Sequence, residues 1–274
     1  MYAKTVLLAL LLLAPVTALA APHCKHSAER KLDLDLAGVK RVKFEVHSHD
    51  LRLRAAPGGG ALGGRACASH ENLLENLVLT QQKQGDTLVV SLRNDNKGVT
   101  ISLGGVYTNL EISGTVPDDM LVQLKVGSGD ATISGAQSLS ADVGSGDVEA
   151  RDIKGLVTAA VGSGDLELTG IGSLNLLSLG SGDVSVTGVR GNAEVGTVGS
   201  GDLELEDVGG DVKITSLRSG DIDLVDVRGN VTLGALGSGE LDVRDVGGDL
   251  QVTSRGSGSV RHSGVAGKVS GAGR

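Results

Sequence analysis

The 274-residue chain has no tryptophan, a single phenylalanine (Phe44) and two tyrosines, Tyr2 and Tyr107, so it has almost no aromatic surface on which a sugar or a base could stack. Basic charge is also short. The 25 Lys and Arg stand against 33 Asp and Glu, a net charge of −8, and an acidic surface argues against nucleic acid as a partner. After Val6–Ala14 no run is apolar enough to cross a membrane as a helix, and that run itself is too short to span. With Lys4 before it and Ala18-Leu19-Ala20 behind it, it reads as a cleavable export signal over residues 1–20, leaving a mature chain that begins at Ala21 in the periplasm or outside the cell.

Cysteine is nearly absent as well. Cys24 and Cys67 are an even pair in a chain bound for an oxidising compartment, which predicts a Cys24–Cys67 disulfide, with two free thiols as the alternative. No nucleophile elbow or triad is recognisable around His70 or His262, and neither His47 with His49 nor His23 with His26 has an acid or cysteine at zinc-site spacing. The residues therefore predict no catalytic site, no metal and no cofactor.

What the chain does have is 43 glycines at fixed phase against Val, Leu and Ile. The tetrapeptide "GSGD" begins at 127, 144, 162, 180 and 199, and the residue after each "GSG" or its variant forms a series: Asp130, Asp147, Asp165, Asp183, Asp202, Asp221, Glu240 and Ser259. The steps are 17 to 19 residues, and a weaker mark, such as "GGDVKI" at 209–214, stands about nine residues past a principal one. In "GSGDLELEDVGGDVKITSL", Leu203 and Leu205 alternate with Glu204 and Glu206, and Val212 and Ile214 alternate with Lys213 and Thr215. That is the period of two strands, each with one buried face.

One such unit cannot bury its aliphatic side alone, whereas stacked units share a core. The prediction is an all-β, single-chain β-solenoid of about 18–19 residues per turn over 127–274, preceded by an irregular β-rich part over 21–126. In the latter, "VKFEVHSHDLRLRA" looks like a divergent coil, residues 76–92 like a hairpin around Gly85-Asp86, and "SHENLLENL" like one or two helical turns with Ser69 as the cap. "GSGD" reads as a corner whose glycines supply positive φ. Its acids, Asp130 to Glu240, form a structural column. They either accept hydrogen bonds from nearby backbone N–H groups at their own turns or hold a row of cations such as calcium, and the corner reading is preferred.

"VKFEVHSHDLRL", "TVPDDMLVQLKVGSGDATISG" and the succession of "GSGDLEL" and "GGDVKI" units resemble a bacterial β-strand-repeat family of candidate adhesin domains of unknown function. The resemblance covers most of the mature chain and implies a solenoid, with no catalytic or binding residues to carry over. The expectation is a non-catalytic exported solenoid that presents a regular polar face to a cell-envelope or surface polymer or protein. A self-assembling structural solenoid is the alternative, and a β-helical carbohydrate-active enzyme a more distant one.

Overall fold

The computed structural model describes residues 24–95 and 105–271, so the export signal read over 1–20 lies outside the described residues. It is a β-solenoid built from two twelve-stranded sheets, and each regular coil gives one strand to each sheet. From Asp130 onward the pairing is parallel, and in register apart from one shift in the second sheet. Leu203–Val208 lies between Val184–Val189 and Asp221–Val227 in the first sheet, and Val212–Leu217 lies between Ala193–Val198 and Val231–Leu236 in the second.

The inward residues of both sheets merge into a single core. In the coil 203–217 these are Leu203, Leu205, Val208, Val212, Ile214 and Leu217, all buried, while Glu204 and Glu206 face solvent. Six aliphatics per coil are thus buried, where simple alternation yields four. The extra two come from departures from period two. Asp207 has φ 56°, and this left-handed residue turns the strand so that Val208 again points inward. The same place in other coils is held by Asp152, Gly170, Gly188, Asp226, Asp245 and Gly264, all with φ between 56° and 79°. In the second sheet, the pairing of Leu156–Val161 with Ser173–Leu179 shifts between Ala159 and Ala160, so Leu177 bulges outward between the buried Leu176 and Leu179. Later coils keep that extra position.

The corner glycines correct one expectation. None of the glycines of the "GSGD" corners has a positive φ. Glycine is required there for closeness: a Cβ on Gly146, Gly164 or Gly182 would stand 1.9 Å from the carbonyl oxygen of the preceding coil's second glycine. Backbone stacks on backbone at this corner, and any side chain would force the coils apart.

The N-terminal part is interleaved rather than merely irregular. Arg41–His47 and Asp50–Ala55 form a coil in register with the regular stack, Phe44 opposite Leu124 and Leu53 opposite Ile133. Thr87–Asn94 and Thr108–Val116 stack on the other side of that coil. The chain then passes from Val116 through Pro117 to Leu121, on the opposite side of the 41–55 coil, before the repeats begin. Beyond this lie antiparallel strands: Leu77–Gln84, the partner of Thr87–Asn94 in a hairpin at Gly85-Asp86, and Ala61–Ala68, flanked by His26–Asp33. The helical segment is a 3-10 helix, Glu71–Asn76, preceded by His70. Ser69 is not its cap: the Ser69 hydroxyl meets His70 Nδ1 at 3.0 Å.

Cys24 and Cys67 are disulfide-bonded, with their Cα atoms 5.4 Å apart. The bond fastens the start of the edge strand to its antiparallel neighbour. Closing a loop of 43 residues is worth roughly 4 kcal/mol in the chain-entropy account.

Candidate functional site

Asp130, Asp147, Asp165, Asp183, Asp202, Asp221 and Glu240 stand one above another at the edge of the first sheet. Each Asp side chain accepts a hydrogen bond from the backbone N–H of the next residue in the column. Asp147 N donates to Asp130 Oδ1 at 3.4 Å, Asp183 N to Asp165 Oδ1 at 3.1 Å, and Glu240 N to Asp221 Oδ1 at 3.0 Å. The expected donors were at each acid's own turn. The observed ones lie 17 to 19 residues on, because the flat glycine corner aims each side chain along the stack. Asp50 heads the column opposite Asp130 and is held by Asn109 Nδ2 at 2.8 Å.

A second ladder was not anticipated, although the "GGD" and "RGN" marks carry it. Asp211 N donates to Asn192 Oδ1 at 3.0 Å, Asn230 N to Asp211 Oδ1 at 2.7 Å, Asp249 N to Asn230 Oδ1 at 2.9 Å and Lys268 N to Asp249 Oδ1 at 2.7 Å. Here Asn and Asp alternate in one role. What this position requires is therefore a side-chain carbonyl-type oxygen, and a charge is optional.

The two outer faces differ. On the first sheet, Glu149 and Glu167 pair across one step, and Glu204, Asp223 and Asp242 stack across two more. With the corner acids they make an acidic strip, including a shallow groove of about 350 Å³ between Asp130, Asp147, Asp165, Glu149 and Glu167. Burial, and then the neighbouring Asp242, push the Asp223 carboxyl up, with Arg244 at 3.5 Å opposing. Among the described residues, no three His, Cys, Asp or Glu side chains converge on a shared ion position. On the second sheet one outward column is small and neutral over five coils, Ser178, Thr197, Ser216, Ala235 and Ser254, while its neighbour runs Ser140, Thr158, Asn175, Glu194, Lys213, Thr232 and Gln251. Ser216 Oγ donates to Thr197 Oγ1 at 3.1 Å.

Among the described residues His49 is the one buried histidine, 1% exposed. It takes the place of the second corner glycine in "HSHD". Its Nδ1 accepts from Leu110 N at 3.3 Å, which leaves the proton on Nε2, and neither Nε2 nor the nearby Asn109 Oδ1 has a hydrogen-bond partner. Burial pushes its pKa down, with the His47 charge acting the same way and Asn109 and Asp50 opposing. The folded state therefore holds a neutral ring. As pH falls below the ordinary histidine value of about 6.5, the unfolded chain takes up the proton first, so stability present above that value is lost. The melting temperature of the wild type should drop between pH 8 and pH 5 by more than that of His49→Leu; equal drops would show that another group is responsible.

Two solved structures share the fold. One, from Parabacteroides distasonis and named as a candidate lipid-binding protein, is 21% identical with a TM-score of 0.56, over 87% of this chain and 97% of its own. The other, from Parabacteroides merdae and named as a candidate adhesin, is 15% identical with a TM-score of 0.55 over the same shares. At such identities the likeness extends to the fold alone. No curated protein is a match. With the coil repeat, the glycine corners and the two sheets in place, the family model that matches residues 39–260 covers most of the solenoid, and the chain belongs to the Toastrack DUF4097 family.

Proposed function

We propose that this chain is an exported, non-catalytic solenoid that meets a cell-envelope or surface polymer or protein through the outer face of its second sheet. The observation that carries the reading is the difference between the faces. The acidic strip on the first sheet repels anionic envelope polymers, whereas the column from Ser178 to Ser254 on the second offers small neutral groups at a regular spacing over five coils, with Glu194 and Lys213 of opposite sign in the column beside it. The Cys24–Cys67 bond supports export, since such bonds persist in oxidising compartments. In this reading residues 1–20 direct export, 21–126 close one end of the stack and 127–274 carry the face.

The test is co-sedimentation of the mature protein with insoluble envelope polymer. Retention should survive salt near 1 M, where the screening length is about 3 Å, and should be lost in the pair Ser178→Arg and Ser216→Arg. Retention that salt abolishes, or that the Arg pair leaves intact, would reject the second sheet as the contact face.

The acid column is, in the same reading, structural. Asp165→Asn keeps the oxygen that Asp183 N uses and removes a repelling charge, so its melting temperature should stay close to wild type. Asp165→Ala should lose about 0.5–1.5 kcal/mol. Melts with calcium and with chelator should coincide. A rise of many degrees in calcium, abolished by Asp165→Asn, would instead establish a row of cations, since a ligand of the folded state stabilises it by mass action.

A further inference from the structure

We infer that the last coil is built to refuse another coil, and that Arg255 and His262 are the residues that do so. Two inward columns carry the observation. In the first sheet, Leu53, Ile133, Ala150, Leu168, Val186, Leu205, Leu224 and Val243 follow one another in register, and the next place is His262. In the second, Val126, Val143, Val161, Leu179, Val198, Leu217 and Leu236 follow one another, and the next is Arg255. From Leu53 in the first column and Val126 in the second, each of these positions up to the break is aliphatic and buried. The break thus falls in both sheets at the same end of the stack.

Among the described residues, Ser259–Val265 is the terminal strand of its sheet and pairs only with Glu240–Val246, while Val269–Ser270 covers two residues of Leu250–Arg255. A terminal strand presents a row of backbone groups on which another chain can add. Val260 and Val265 still offer such a chain apolar contacts in the inward columns of Leu241 and Val246. Docking a second copy here would place the Arg255 guanidinium in an aliphatic column. That side chain, whose Nε donates to Gly258 O at 2.8 Å, cannot shed its charge. The imidazole of His262 would be buried in the other column with its ring nitrogens facing apolar neighbours.

The opposite end has two edge strands, His26–Asp33 in the first sheet and Leu77–Gln84 in the second. His26–Asp33 runs antiparallel to its neighbour with Glu29 and Lys31 paired at 2.7 Å on its exposed face, and Arg30 Nη2 donates to Leu74 O at 2.7 Å. The end at Arg255 and His262 therefore does not serve stacking, which argues against self-assembly through it.

Sedimentation velocity on the mature chain tests the inference. The wild type should remain monomeric, while Arg255→Leu with His262→Val should tighten self-association by roughly a hundredfold or more. The new contact should lie at this end. Arg261→Val, an outward position of the same strand, is the control and should stay monomeric. If the double change unfolds the last coil, the single changes Arg255→Leu and His262→Val are read in its place. A self-associating wild type, folded variants that stay monomeric, or an Arg261→Val that dimerises equally would each overturn the inference.

Discussion

Leu205→Asp should unfold the coils around it. Leu205 is fully buried and stacks between Val186 and Leu224, so the carboxylate would enter an aliphatic column with no partner within the core. Burying an unpaired charge costs several kcal/mol, a large part of the ~5–15 kcal/mol that holds a typical domain together. Because each coil contacts chiefly its neighbours, the loss should begin locally and spread along the stack. Limited proteolysis should cut first between about residues 186 and 224, and the far-UV melt should broaden or fall sharply. Glu204→Gln, one residue away on the outer face, should change stability by no more than about 0.5 kcal/mol. A Leu205→Asp protein with a wild-type melt would mean that the inward columns have been misread.

Gly164→Ala should cost nearly as much relative to its size. One methyl group would stand 1.9 Å from Gly146 O, and both atoms belong to stacked backbone that no rotamer change can move aside. Gly164 N also donates to Gly144 O at 3.1 Å, a bond that separating the coils would stretch. Overpacking of this kind costs about 1–3 kcal/mol, sometimes more. In a chain of this size that corresponds to a fall of roughly 2–4 °C per kcal/mol. Gly162→Ala, where the nearest approach is 2.7 Å to Gly144 O, should cost less, and Ser163→Ala, on an exposed residue, should be nearly neutral. Equal melts for Gly164→Ala and Ser163→Ala would remove the close-approach explanation for the repeated glycine.

The coil period, the inward and outward assignment of Leu203 to Glu206 and the coil likeness of "HSHD" could all be read from residue order. Period-two burial and a step of 17 to 19 residues are one-dimensional signals, and every coil repeats them. The acid column was legible as a column for the same reason. Its hydrogen-bond donors were not, because a residue 18 places on becomes a neighbour only once the coils stack. The second ladder, Asn192 to Asp249, lay under weaker marks, and its alternation of Asn with Asp concealed a shared role.

Residue order alone determined the repeating part: Asp130 to Glu240 in even steps and aliphatics at fixed offsets, since local periodicity and hydrophobic burial suffice to specify a coil. Only the tertiary structure decided why the glycines must be glycines. Backbone closeness between coils is a property of the stack, and positive φ proved to belong to Asp207 and its equivalents instead. The stack also decided where the 41–55 coil lies, between 87–116 and 121–134, because its two flanking partners are distant in the chain and no local pattern orders them. Its ends were settled in the same way. Arg255 and His262 are ordinary polar residues in the linear chain, and become barriers only because the registers of the two sheets carry them into columns that the regular coils before them fill with aliphatic side chains.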